Sequence, residues 1–192
     1  MKLLLQDKNA AIYGGGGSIG GAVAREFARE GAHVFLAGRT REKLEMVASD
    51  IKADGGSAEV AVLDAFDEKA VDEHAQAAVS QAGGIDVSLN LIMRGDVQGI
   101  PLVDMTPEDL LCAVINGLRS NFLTARAASR RMMEQGSGAA TCSTNPANSS
   151  MNWRVPKTCG NGAPPSSPLR ISSVRATWLT RLRSPRSCLR RP

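Results

Sequence analysis

Asn9-Ala10-Ala11-Ile12-Tyr13-Gly14-Gly15-Gly16-Gly17-Ser18-Ile19-Gly20 is the stretch that decides how this chain folds. Asn9 to Tyr13 is short and mostly apolar, with no alternation of polar residues, which is how a strand buried on both faces reads. Four glycines then let the backbone turn tightly. From Ser18 the apolar positions Ile19, Val23, Phe27 and Ala28 recur at helical spacing, and Gly31 follows the charged last turn as a stop. The stretch is therefore a strand, a glycine turn and a helix.

The same alternation continues outward. His33 to Ala37 reads as a second strand, Arg41 to about Ala53 as a helix stopped by Asp54-Gly55-Gly56, and Ala58 to Leu63 as a third strand. Asp67 to Gln81 is helical, Gly83-Gly84 breaks it, and Ile85 to Leu91 is a fourth strand. Thr106-Pro107-Glu108-Asp109 supplies an N-cap, a first-turn proline and two first-turn acids for a long helix running to about Glu134. Its apolar face by spacing is Leu110, Leu111, Val114, Ile115, Leu118 and Phe122. Gly136-Ser137-Gly138 ends it before a fifth strand, Ala139 to Ser143.

Strands alternating with helices imply right-handed crossovers and a parallel sheet covered on both faces. The expected fold is α/β, a doubly wound parallel sheet of the Rossmann kind, incomplete at its C-terminal side. Ligands of such sheets bind beyond the carboxyl ends of the strands, so the loops after Tyr13, Ala37, Leu63 and Leu91 matter most.

Composition bounds what surrounds this unit. The chain has 192 residues, 43% hydrophobic and 22% charged, enough for one globular domain with an appendage. No run reaches the ~18 apolar residues of a membrane span, and Met1 to Leu5 is too short for a secretory signal, so a cytoplasmic protein without a membrane partner is expected. Cys112, Cys142, Cys159 and Cys188 lie far apart with no CxxC pair and two histidines in all, which argues against a metal site.

The net charge of +4 hides a division of the chain. Glu134 is the last acid, whereas nine basic residues and six of the nine prolines follow Met151. We therefore expect a dinucleotide-binding domain over 1–145 and a basic Pro/Ser/Arg-rich tail over 146–192 that orders poorly. Trp153 and Trp178 do not interleave regularly with the basic residues, so nucleic acid is not the expected partner.

The chemistry begins at the glycine turn. Gly14, Gly16, Gly17, Ser18, Ile19 and Gly20 lie between strand and helix, where missing side chains let a pyrophosphate reach backbone N–H groups and the positive helix end. At the end of the second strand, Ala37-Gly38-Arg39-Thr40-Arg41 offers no carboxylate for a ribose diol. Arg39 instead suits the 2′-phosphate of NADP, so NADP is expected over NAD.

On these residues the chain resembles the short-chain dehydrogenase/reductase family. Gly14, Ser18 and Gly20 meet the spacing of the family motif Gly-x-x-x-Gly-x-Gly, with Ser18 in place of the middle glycine and Tyr13 where threonine is usual. The resemblance makes Asp64, with Ala65, the adenine contact and Asn90 the first asparagine of Asn-Asn-Ala-Gly, although Leu91-Ile92-Met93 departs from the remainder. It likens Asn116 to the helix asparagine that supports a proton-relay water, and Ser143, or its neighbour Thr144, to the serine that holds the substrate oxygen.

The resemblance implies hydride transfer between NADP(H) and a small carbonyl or secondary alcohol; family members form homo-oligomers through the long helix and the one following it, and because the second is not recognisable here the oligomeric state is left open. It also exposes a gap. The family's proton donor is a tyrosine followed four residues later by lysine, and the one tyrosine of this chain is Tyr13, on the first strand. Trp153-Arg154-Val155-Pro156-Lys157 keeps the spacing, but an indole N–H does not release a proton at neutral pH, and Pro156 would disrupt a helix. His33, at the amino end of its strand, and His74, taken as peripheral, offer no substitute. The resemblance is expected to stop after Ser143, as in a truncated or frameshifted family member. An impaired oxidoreductase, or an NADP(H)-binding module without catalysis, is the resulting expectation. Uncovered apolar surface on the fifth strand and long helix is expected to favour self-association.

Overall fold

The computed structural model describes residues 3–93, 95, 99–143 and 150–155. In chain order these form β1 (Asn9–Tyr13), α1 (Ser18–Arg29), β2 (His33–Gly38), α2 (Arg41–Ala53), β3 (Ser57–Val62), α3 (Glu68–Ala82), β4 (Val87–Asn90), a 3-10 turn at Leu102–Asp104, α4 (Pro107–Gln135), β5 (Gly138–Ser143) and β6 (Ser150–Val155). The sheet order is β3-β2-β1-β4-β5-β6. The first five strands in this order are parallel, and β6 runs antiparallel to β5.

Strands β1 and β2 show why an unalternating apolar run folds this way. Successive side chains of a strand point to opposite faces. Ala10 and Ile12 of β1, with Val34 and Leu36 of β2, join Ala24, Leu44, Val47 and Ile51 of α1 and α2 in one core. Ala11 and Tyr13, with Phe35 and Ala37, join Val71, Ala75 and Ala78 of α3 and Ala127, Ala128 and Met132 of α4 in the other. Each of these eight strand residues therefore serves one of two cores, which is why the runs are apolar on both faces.

The helix ends follow local chemistry. Asp67 caps α3, accepting from the backbone N–H groups of Lys69 and Ala70, and left-handed Gly83 closes it. Thr106 and Asp109 form a reciprocal capping box at the start of α4, with Pro107 in the first turn. At its other end Gln135 bridges to the β4 approach: Ile85 N–H donates to Oε1 at 3.1 Å, and Nε2 donates to the Ile85 and Ser137 carbonyls at 2.5 and 2.6 Å.

Two features depart from what the sequence leads one to expect. The residues of α4 that are buried are Gly117, Ser120, Leu123, Thr124, Ala127, Ala128 and Met132, a mostly small-residue stripe. The strongly apolar face, Leu110, Leu111, Val114, Ile115, Leu118 and Phe122, is exposed. Hydrophobicity alone thus marks the wrong side as the core face, because the close approach of α4 to the sheet selects small side chains.

The second departure is β6. Ser150-Met151-Asn152-Trp153-Arg154-Val155 alternates polar and apolar residues, the period of a strand with one covered face. It pairs from Ser143↔Ser150 to Gly138↔Val155 and occupies the edge that β5 would otherwise leave unpaired. Trp153 consequently lies on a strand, and its spacing to Lys157, which is outside the described residues, does not belong to a helix.

Candidate functional site

The sheet reverses its winding at β1, whose neighbours β2 and β4 lead to opposite edges. The crevice beyond the carboxyl ends of β1 and β4 is where this architecture binds a ligand, and the glycine loop occupies it. Gly14 and Gly15 N–H donate to the Ala37 carbonyl at 2.8 and 3.2 Å, Gly17 N–H to that of Gly14 at 3.0 Å, and Leu91 N–H to that of Tyr13 at 2.9 Å. The loop is thereby tied to β2 on one side and to the β4 exit on the other.

Two glycines are required by the geometry. Gly14 has φ of +82°, and a Cβ there would stand 2.7 Å from the Leu91 carbonyl oxygen. A Cβ on Gly20 would stand 2.1 Å from the Gly14 carbonyl oxygen, so only glycine lets α1 begin this close to β1. Gly17, the extended N-cap of α1, offers no side-chain cap, and the first turn holds no acid. The N–H groups of that turn therefore face outward beside exposed Ser18 and Ile19 without a carboxylate to neutralise them. This cradle fits a pyrophosphate.

Arg39 follows the last residue of β2, is exposed, and has no acidic partner among the described residues. Asp64, two residues past β3, is also exposed; its carboxylate accepts the Phe66 N–H at 3.0 Å, while Ala65 is buried. Arg119 of α4 fixes the same loop by donating to the Phe66 carbonyl at 3.0 Å. Glycine loop, Arg39 and Asp64 therefore rim the carboxyl ends of β1, β2 and β3.

Asn90 ends β4 and is buried. Its Nδ2 donates to Asn121 Oδ1 at 2.8 Å and Ser120 Oγ at 3.3 Å, and its Oδ1 accepts the Ile92 N–H at 2.9 Å. The amide thus braces the β4 exit against the middle of α4. Ser120 and Asn121 were not singled out from the sequence, although two adjacent polar residues within an apolar helix were the available signal. Asn116, one turn earlier, is half-buried, with Nδ2 directed at Cys112 Sγ at 3.3 Å. The register sets Cys142 beside Asn90, so Ser143 reaches the same end of the sheet. Thr144 lies outside the described residues.

Tyr13 and His74 form a pair that the sequence did not suggest. His74 is buried on α3, not peripheral as expected, because α3 turns this residue onto β1. Its Nδ1 lies 3.2 Å from Tyr13 Oη, with the rings edge-on at 5.2 Å. Tyr13 is 0% exposed. Burial, and secondarily the Asp72 carboxylate, push its phenol well above the ordinary value of about 10. Burial pushes His74 down to about 4, and its Nε2 has no hydrogen-bond partner. His33 stands at the amino end of β2, stacked on Phe35 with ring centroids 4.6 Å apart, away from the glycine loop.

Among the described residues no group of three or more His, Cys, Asp or Glu side chains could hold a metal ion, and no helix is long and apolar enough to cross a membrane.

Comparison with known proteins agrees with this geometry. A family model described as enoyl-(acyl carrier protein) reductase matches residues 15–154, so the match runs past Ser143, where the resemblance was expected to stop. An uncharacterized oxidoreductase of Staphylococcus aureus is 34% identical over 135 residues, 70% of this chain and 57% of that protein. L-rhamnose 1-dehydrogenase (NAD(P)(+)) of Azotobacter vinelandii is 36% identical over 142 residues, 72% of this chain and 55% of that protein. The chain thus spans little more than half the length of these relatives. A metagenomic short-chain oxidoreductase solved in complex with NADP superposes with a TM-score of 0.64 at 30% identity, over 72% of this chain and 62% of that one. By sequence, sheet order and glycine loop alike, the chain belongs to the short-chain dehydrogenase/reductase family of oxidoreductases.

Proposed function

We propose that this chain binds NADP(H) in preference to NAD(H) and is impaired in the family's hydride transfer to a carbonyl or from a secondary alcohol. Gly14, Gly16, Gly17, Ser18, Ile19 and Gly20 would hold the pyrophosphate, Arg39 the 2′-phosphate, and Asp64 with Ala65 the adenine, with Asn90 at the far side of the crevice. The observation that carries the cofactor preference is Arg39, exposed and without an acidic partner at the end of β2, in a segment with no carboxylate from Ala37 to Arg41. The NADP named for the metagenomic neighbour is consistent with it.

When bound, the nicotinamide supplies or accepts the hydride. Ser143 would then hold the substrate oxygen and Asn116 a relay water, which leaves the proton transfer without a donor. The single tyrosine is sealed between β1 and α3 with its hydroxyl on His74, so its phenol has no path to a substrate. Burial of Tyr13 also favours the second reading, a binding module without catalysis.

Calorimetric titration of the whole chain with NADPH and with NADH tests the first half of the proposal, and turnover across a panel of carbonyls and alcohols tests the second. NADPH binding at least tenfold tighter than NADH, on the scale of an Arg–phosphate pair, is the expected result. Equal affinities would refute the preference, and turnover at an ordinary enzymatic rate of about 10 per second would refute the impairment. The exposed apolar face of α4 further fits a homo-oligomer formed through that helix.

A further inference from the structure

In α1 and α2 each of the three arginines is held by an acid, whereas among the described residues neither lysine, Lys43 or Lys52, has an ion pair. Arg25 is held by Asp50 at 2.6 Å, Arg29 by Asp54 at 3.2 Å and Arg41 by Glu45 at 3.3 Å. Lys43, in the first turn of α2, makes no ion pair or side-chain hydrogen bond among the described residues, although neighbouring Arg41 has its acid four residues on. Helix neighbours lie three and four positions apart. On α2 those positions hold Met46 and Val47, and in the loop just before the N-cap Thr40 stands Arg39, a second cation without an acidic partner among the described residues. Glu42 lies between them in sequence but, among the described residues, pairs with neither, and two such cations side by side suit an anion.

Their place in the fold says which anion. The nearest side chain to the bare face of Gly16 is Lys43: a Cβ on Gly16 would lie 3.1 Å from Lys43 Cβ. The base of the Lys43 side chain therefore rests against the glycine loop at Gly16. Its flexible four-carbon chain carries a compact charge to the rim between the loop and the end of β2.

We infer that Lys43 is a second reader of the cofactor's 2′-phosphate, acting beside Arg39 at the end of β2 and the start of α2. The inference rests on the proposed NADP(H) preference. Arg39 contributes a planar fork that can pair with two phosphate oxygens, and Lys43 a point charge that neutralises the remainder. Lys43 is accordingly a specificity-determining residue and takes no part in the reacting centre.

Calorimetry of the whole chain with NADPH and NADH, comparing wild type, Lys43→Ala, Lys43→Arg, Lys52→Ala and Arg39→Ala, decides the matter. For Lys43→Ala the NADPH dissociation constant is expected to rise about fivefold, the scale of an exposed charge pair. The NADH constant is expected to move by less than about twofold, because its ribose carries no phosphate. Lys43→Arg should retain most NADPH affinity, and Lys52→Ala, at the far end of α2, should change neither. Equal weakening of both cofactors would place Lys43 on the pyrophosphate and overturn the inference, as would no effect on NADPH while Arg39→Ala weakens it. A wild-type chain that prefers neither cofactor would overturn the NADP(H) reading and this inference together. Unchanged thermal melting of Lys43→Ala would show that the loss is one of contact and not of folding.

Discussion

A methyl group on Gly20 would stand 2.1 Å from the Gly14 carbonyl oxygen, closer than any real carbon–oxygen contact. Gly20→Ala is therefore expected to push α1 away from β1 at a cost of about 1–3 kcal/mol, seen as a lower midpoint in urea, with loss of cofactor binding. If Arg39 reads the 2′-phosphate as proposed, Arg39→Ala should weaken NADPH about tenfold and leave NADH within about twofold in the same titration. His74 gives a pH prediction. Its folded pKa of about 4 lies below the ordinary 6.5, so the unfolded chain binds the proton more readily. Stability is full above pH 6.5 and falls as the pH drops toward 4, by up to about 3 kcal/mol. His74→Gln, which keeps a partner for the Tyr13 hydroxyl but does not titrate, should flatten that decline in thermal melts between pH 7.5 and 4.5; an unchanged decline would show that other groups cause it.

Among the elements, α4 shows how two signals in one helix can separate. Its start is fixed locally: Thr106 Oγ accepts the Asp109 N–H at 3.2 Å, and the Asp109 carboxylate accepts the Thr106 N–H at 3.0 Å. The Thr106 hydroxyl, and then its backbone N–H, hold the Asp109 carboxyl below its ordinary range. Its packing is fixed at a distance, by Asn90 reaching Ser120 and Asn121 and by small residues that let the helix approach the sheet. Asn90→Ala would leave buried polar partners unpaired at a cost of about 1–3 kcal/mol, measurable by urea unfolding. A loss near zero would mean that α4 is positioned by its apolar contacts alone.

For the whole molecule, the exposed face of α4 is the feature with the largest consequence. Ile115 and Leu118 are each 57% exposed and Phe122 is 60% exposed, on a helix whose other side is already committed to the sheet. Contiguous apolar surface of this kind drives association. Sedimentation velocity is expected to show self-association that Ile115→Glu with Leu118→Glu abolishes without lowering the melting temperature, since neither side chain contributes to the core. A wild-type monomer at high concentration would remove the case for an oligomer through α4.

The alternation of strand and helix, the glycine turn and its likeness to a family were legible in the sequence because each depends on residues within a few positions of one another. The run Asn9 to Gly20 carries strand, turn and helix start in its own spacing, and the bounds of α2, Arg41 to Ala53, follow from a local start and a glycine stop. Even β6 was written in the alternation of Ser150 to Val155, masked by the proline and basic residues around it. What only the tertiary structure decided involves partners far apart in the chain. Asn90 meets α4, Lys43 meets Gly16, and His74 meets Tyr13 across 61 positions. Periodicity states that α4 has an apolar face; whether that face turns inward depends on how closely the sheet must be approached, a property of two packed elements and not of either sequence alone.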